Sequence, residues 1–179
     1  FIAMSQAVRM ARTLRGTVRT VKVGSALFTA CGPVVIRSLR RLGFRIMLDL
    51  KFFDIPSTVE LSCRAAVRQR VSLVTVHASG ERAMLEAAVR GAREEARRLG
   101  TARPRVLAVT VLTSVETGRS ASIRTRVLRL ARTALRAGCD GVVASAQDAA
   151  ALRRAFGHRT YIVCPGIRSA RTRHDQRRV

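Results

Sequence analysis

The chain has 179 residues, 47% of them apolar and 25% charged, ordinary globular usage that suffices for one full core and reaches the lower size limit of an eightfold α/β barrel. Its 34 Lys and Arg residues outnumber 11 Asp and Glu, for a net charge of +23. No apolar run approaches the roughly 18 residues of a membrane span, and Cys31, Cys63, Cys139 and Cys164 form no CxxC pair, so a membrane protein, a disulfide framework and a zinc module are all disfavoured and a reducing cytoplasm is the expected setting.

Phe1-Ile2-Ala3 reads as a fragment of a first strand, and Met4-Ser5-Gln6 already has helical character. Short β-branched runs then predict strands at Thr20–Gly24, Arg45–Lys51, Leu73–Ala78, Arg105–Leu112, Gly141–Ser145 and Thr160–Pro165. Between them, amphipathic stretches predict helices near 30–42, 57–70, 81–99, 122–137 and 146–156. Gly43, Gly100 and Gly138 stand where helices close, and Pro33 and Pro56 stand where a first helical turn tolerates proline. Val106–Leu112 is apolar on both faces, as a buried parallel strand requires. Repeated βα units allow a barrel or a doubly wound sheet.

The strand tips favour the barrel. Polar residues recur at the C-terminal ends: Lys22, then Asp49 and Lys51, His77, Thr113 and Ser114, Ser145, and Pro165-Gly166. In a parallel barrel those ends converge on one mouth, whereas a doubly wound sheet concentrates function at a switch point, and its GxGxxG fingerprint is absent. The chain is therefore read as one (β/α)8 TIM-barrel domain over 1–179, with the first strand truncated and the last strand absent.

Two lysines stand among 32 arginines. The arginines recur through nearly every helical stretch, as in Arg9, Arg12 and Arg15, so they read as solvated helix faces more than as a polyanion track. Lysine, unlike arginine, can give up its proton when its surroundings depress its pKa. Alternation along a strand points Asp49 and Lys51 the same way, a spacing of about 4.8 Å between strands lets Lys22 reach Asp49, and Asp54 lies just past the tip. This cluster reads either as a functional site or as an inert buried ion network, which would cost several kcal/mol per ion to bury.

The stretches Lys22-Val23-Gly24, Leu48-Asp49-Leu50-Lys51-Phe52-Phe53-Asp54-Ile55-Pro56-Ser57-Thr58, Val76-His77-Ala78-Ser79-Gly80, Val109-Thr110-Val111-Leu112-Thr113-Ser114 and Pro165-Gly166-Ile167-Arg168 resemble the orotidine 5′-monophosphate decarboxylase family, in that family's order. The resemblance implies a carboxy-lyase of pyrimidine biosynthesis that makes uridine 5′-monophosphate and carbon dioxide without metal or other cofactor. It implies a catalytic tetrad of Lys22, Asp49, Lys51 and Asp54, with Lys51 protonating C6 of the base. It further implies substrate binding by Thr58, Ser114, Pro165, Gly166, Arg168 and Gln176, with Asp54 and Thr58 reaching into the partner's site of a homodimer.

Departures accompany the matches. Where Phe53 and Ser57 stand, the family usually has histidine and asparagine. No aspartate follows Phe1-Ile2-Ala3 to bind ribose, and the sequence stops at Val179, before the position of the Gly-Arg turn that in this family binds phosphate. Two alternatives stay open: a magnesium-dependent sugar-phosphate lyase of the same superfamily, such as a hexulose-phosphate synthase or keto-gulonate-phosphate decarboxylase, and an inactive arginine-rich paralogue binding polyanions. A nucleic-acid stripe would interleave aromatics, and these are only 4% of the chain. His77 reads as a residue ordering the loop after its strand, His158 and His174 suggest no metal, and the cysteines read as small core residues.

Overall fold

The structure, a computed structural model, describes residues 4–112 and 120–167. Helix α1 (Met4–Thr13) leads into β1 (Thr20–Gly24), then α2 (Ser25–Cys31) and α3 (Pro33–Arg41). The chain continues through β2 (Arg45–Phe52), α4 (Pro56–Arg68), β3 (Leu73–His77), α5 (Glu81–Arg98) and β4 (Arg105–Val109). The second described stretch holds α6 (Ser120–Arg136), β5 (Gly141–Val143), α7 (Ala146–Phe156) and β6 (Tyr161–Val163). Among the described residues, six strands pair in parallel and in sequence order, β1 to β6. A doubly wound sheet reverses its order at a switch point; this one never does, so it is the consecutive, curling arrangement of a (β/α)8 barrel. The fragment Phe1-Ile2-Ala3 lies outside the described residues.

Two local expectations change. The helix predicted near 30–42 is two helices, because Gly32 adopts φ 58° and ψ −161° between them, a backbone open to glycine, and Pro33 then starts α3 afresh. The regular ladders of β4, β5 and β6 stop earlier than their apolar runs, at Val109, Val143 and Val163, although Thr110 N and Ala144 N still donate to the Val143 and Val163 carbonyls just past the first two ends. Helix closure at Gly43, Gly100 and Gly138 is as expected, each with positive φ.

Alternation within the strands separates two apolar faces. Val23, Ile46, Leu48, Val74, Val76, Val106 and Ala108 pack outward against helix residues such as Ile36, Val59, Cys63, Leu85 and Ala88. Met47, Leu107, Val109 and Val143 form a separate inner cluster with Leu73 and Val163. Asp49 shares strand parity with Met47, and Thr75 with Leu73, so both stand on the inner face. On the outside, α4 and α5 meet so closely at Gly91 that a Cβ there would lie 2.5 Å from the Glu60 carbonyl oxygen.

Many arginines are solvated or paired on helix faces. Arg64 bonds to Glu60 and Glu94, Arg90 to Glu60, and Arg82 to Glu86. Glu95, buried between helices, receives Arg98 and Arg68, and these two guanidinium partners hold its carboxyl down to about 2. Burial pushes the Cys63 and Cys139 thiols up to about 12, which leaves them protonated core residues. Among the described residues no helix is long and apolar enough to cross a membrane.

Candidate active site

Two ammonium groups from neighbouring strands meet on one carboxylate oxygen. β1 pairs with β2 so that Gly24 stands beside Asp49, which places Lys22 one turn of the pleat below. Lys22 Nζ lies 3.2 Å from Asp49 Oδ2, and Lys51 Nζ donates to the same oxygen at 3.0 Å. The lysine of β1 passes close over its own strand, since a Cβ on Gly24 would stand 3.2 Å from Lys22 Nζ. The Asp49 side chain is 10% exposed, against 37% for Lys51 and 56% for Lys22. A nearly buried anion thus carries two cations whose far sides face solvent at the C-terminal end of the sheet.

Burial alone would raise the Asp49 pKa, but hydrogen bonds and attraction from Lys51 and then Lys22 outweigh it and hold the carboxyl below its usual value. The group is a carboxylate at neutral pH. The pKa of His77, at the tip of β3, is also lowered, which for a base favours the neutral form: burial, and then the nearby Lys51 charge, are the causes. Its Nδ1 shares a hydrogen bond of 2.8 Å with Ser79 Oγ, its carbonyl accepts from Gly80 N, and its ring stands 5.6 Å from that of Phe53. These contacts fit the loop-ordering role expected for it.

The route by which Asp49 and Lys51 converge differs from the simple alternation expected. β2 and β3 pair at Leu48 with Val74 and resume at Phe52 with Val76, so Asp49, Leu50 and Lys51 stand opposite Thr75 alone. This bulge takes Lys51 into the left-handed region at φ 52°, a conformation costing a non-glycine residue of order 1–3 kcal/mol and characteristic of functional sites. Thr75, fully buried, spans the bulge: its Oγ1 accepts from Lys51 N at 3.0 Å and donates to Asp49 Oδ1 at 3.0 Å. Sequence reasoning passed over Thr75. Its signal was a lone hydroxyl in the apolar run Leu73-Val74-Thr75-Val76, on the same face as Asp49.

The remaining expected site residues are distributed as follows. Asp54 is exposed in the loop between β2 and α4, where its Oδ1 accepts from Ile55 N at 2.7 Å; it makes no ion pair among the described residues and does not join the other three within its own chain. Thr58 is exposed on the first turn of α4. Pro165 and Gly166 follow β6 at the same end of the sheet, half-buried, with Gly166 at φ 75°. Ser114, Arg168 and Gln176 lie outside the described residues. Among the described residues, no group of three or more His, Cys, Asp or Glu side chains could hold a metal ion.

Fold and site together define a parallel α/β-barrel protein with a polar, mixed-charge centre at the C-terminal ends of β1 and β2. The family model described as the orotidine 5′-phosphate decarboxylase / HUMPS family matches residues 1–179, and the chain belongs to that family. It is 46% identical over 166 residues to the orotidine 5′-phosphate decarboxylase of Moorella thermoacetica, covering 88% of this chain and 66% of that protein. It is 48% identical to the enzyme of the same name from Chromohalobacter salexigens, over 98% of this chain and 75% of the relative. The chain thus spans about two thirds to three quarters of these relatives' length. Among solved structures, the orotidine 5′-phosphate decarboxylase of Lactobacillus acidophilus superposes with a TM-score of 0.75 at 37% identity, over 83% of this chain and 69% of that one. A conserved protein from Geobacillus kaustophilus superposes with a TM-score of 0.84 at 35% identity, over 92% and 80% of the two chains.

Proposed function

We propose that this protein decarboxylates orotidine 5′-monophosphate to uridine 5′-monophosphate and carbon dioxide, with neither metal nor other cofactor. The observation that carries the reading is the convergence of Lys22 and Lys51 on one oxygen of the nearly buried Asp49 at the strand ends, in a chain 46% identical to an enzyme of that name. The bond between C6 and the carboxyl carbon breaks, its electron pair stays on C6, and carbon dioxide leaves. Lys51 stabilises that developing negative charge and then donates its ammonium proton to C6; solvent reprotonates the amine. Asp49 stands where the substrate carboxylate would approach, so it disfavours the charged ground state relative to the transition state and keeps Lys51 oriented. Lys22 holds Asp49 and the ribose.

Asp54 and Thr58 act in the neighbouring site of a homodimer. Both are exposed in their own chain, and they are accompanied by exposed apolar side chains on the same stretch: Phe53, Ile55 and Leu61 are each more than 60% exposed. Such a cluster suits a protein interface. Ser114 reads the pyrimidine edge, while Pro165, Gly166, Arg168 and Gln176 hold the phosphate side. The cytoplasm is the natural compartment for an enzyme of nucleotide synthesis with free cysteines.

A substrate panel tests the reading. Purified full-length protein is offered orotidine 5′-monophosphate with a chelator, and separately a hexulose 6-phosphate or a keto-gulonate 6-phosphate with magnesium. Turnover of the nucleotide alone, undiminished by chelation, is expected. Turnover of a sugar phosphate that chelation abolishes moves the protein to the magnesium-dependent branch of the superfamily.

A further inference from the structure

We propose that the Thr75 hydroxyl is a positioning residue for the reaction: by bridging Lys51 N and Asp49 Oδ1 across the β2 bulge, it holds the proton donor in its left-handed backbone and aims its carboxylate partner. The proposal rests on the decarboxylase reading for its effect on turnover, and on geometry alone for its effect on Lys51. Three residues of β2 face one residue of β3, so ladder hydrogen bonds that a regular strand would supply are missing between Leu48 and Phe52. Within that gap the Lys51 amide has a side-chain partner in its place, the Thr75 oxygen at 3.0 Å. The same hydroxyl has one proton to give, and it goes to Asp49 Oδ1 at 3.0 Å.

The two bonds divide the Asp49 carboxylate cleanly. Oδ1 is turned inward to the buried threonine, and Oδ2 is left to receive both ammonium groups at the mouth. Without the inward bond the carboxylate can rotate about its terminal torsion, which is broad and weakly restrained in an aspartate. Without the amide bond Lys51 loses the side-chain partner that spans the bulge and supports its φ of 52°, a conformation that persists only where its surroundings over-determine it. Thr75 is fully buried, so bulk solvent does not reach the hydroxyl's place. It touches the two reacting-site residues through backbone and carboxylate, and acts through them.

Thr75→Val preserves shape and burial and deletes the hydroxyl; Thr75→Ser keeps the hydroxyl. In the full chain, kcat on orotidine 5′-monophosphate should fall roughly 10- to 100-fold in the valine variant with KM within about threefold of wild type, and serine should recover kcat to within about fivefold, because a misplaced donor loses rate without losing substrate contacts. The Lys51 amide, followed by hydrogen exchange, should exchange at least about tenfold faster in the valine variant than in wild type or the serine variant. A valine variant that turns over like wild type overturns the proposal, and so does an equal loss in valine and serine. If wild type itself releases no carbon dioxide, the decarboxylase reading fails and exchange alone decides: faster exchange confined to valine sustains the clamp, and unchanged Lys51 protection overturns it.

Discussion

Asp49→Asn removes the one anion that holds two cations, and the structure fixes how much that should cost. Lys22 Nζ and Lys51 Nζ lie 3.2 and 3.0 Å from the same oxygen, so the two nitrogens are no more than about 6 Å apart. At an effective dielectric of 20, two like charges at that distance repel by about 3 kcal/mol. With their side chains 56% and 37% exposed, screening by water reduces this to about 1 kcal/mol, well short of the roughly 3–5 kcal/mol lost when a truly buried charge is orphaned. Urea unfolding at pH 7 should therefore show a loss near ~1 kcal/mol, while turnover of orotidine 5′-monophosphate falls by a factor of roughly 10² or more, as when a preorganised charge leaves a site. The stability gap has a pH signature. Asp49 titrates below its ordinary 3.8 in the folded state, so its contribution is complete above that pH and disappears as the pH falls through the lower folded value; the variant and wild type should converge in acid. A loss above about 3 kcal/mol with turnover retained per folded molecule would mean an inert ion network.

Subunit mixing tests the shared site: Lys51→Ala and Asp54→Ala homodimers should both be inactive, and random reassortment should restore up to about a quarter of wild-type activity, since half the dimers are mixed and each has one whole site of two. If subunits exchange and the mixture stays inactive, Asp54 serves its own chain. NMR titration of His77 should give a midpoint below 6.5, moving part of the way up in Lys51→Met, because burial is the larger cause and the Lys51 charge the smaller; a midpoint at or above 6.5 in wild type contradicts the packing described. Gly91→Ala should lower the urea midpoint, since a Cβ 2.5 Å from the Glu60 carbonyl overpacks the α4–α5 contact by about 1–3 kcal/mol, which exceeds the gain of at most about 1 kcal/mol from helix propensity. A stabilised variant would show that the two helices do not meet there.

Periodicity carried far in this chain because each strand is short, apolar and closed by a distinctive neighbour. Thr20–Gly24 and Leu73-Val74-Thr75-Val76-His77 are legible as strands from composition alone, and polar residues at or just past most strand ends favour the barrel whose monotonic strand order is observed. Gly32 was less legible: a helix-like pattern on both sides hid the break that its positive φ imposes. The meeting of Lys22, Asp49 and Lys51 was expected from parity, yet the strand reaches it through a bulge with Lys51 left-handed, and no period-two pattern encodes a local change of register. Thr75 escaped notice for the same reason. A buried threonine in an apolar run is ordinary packing until the bulge opposite it leaves an amide and a carboxylate oxygen for it to bind. Asp54 stands apart from the other three: it is exposed in the loop after β2, where its carboxylate accepts from the neighbouring Ile55 amide, and spacing along the sequence did not show that it stays outside the cluster of its own chain.

Lys51 is the proposed proton donor to a carbanion formed by loss of carbon dioxide. The most direct measurement is release of labelled carbon dioxide from orotidine 5′-monophosphate carrying isotope in its carboxyl group, in the presence of a chelator, by wild type, Lys51→Ala and Lys51→Arg. Wild type should release one carbon dioxide per uridine 5′-monophosphate formed, and both variants should release almost none, because a guanidinium holds its proton too tightly to replace the ammonium. Release by Lys51→Ala at the wild-type rate, or none from wild type, would contradict that role for Lys51.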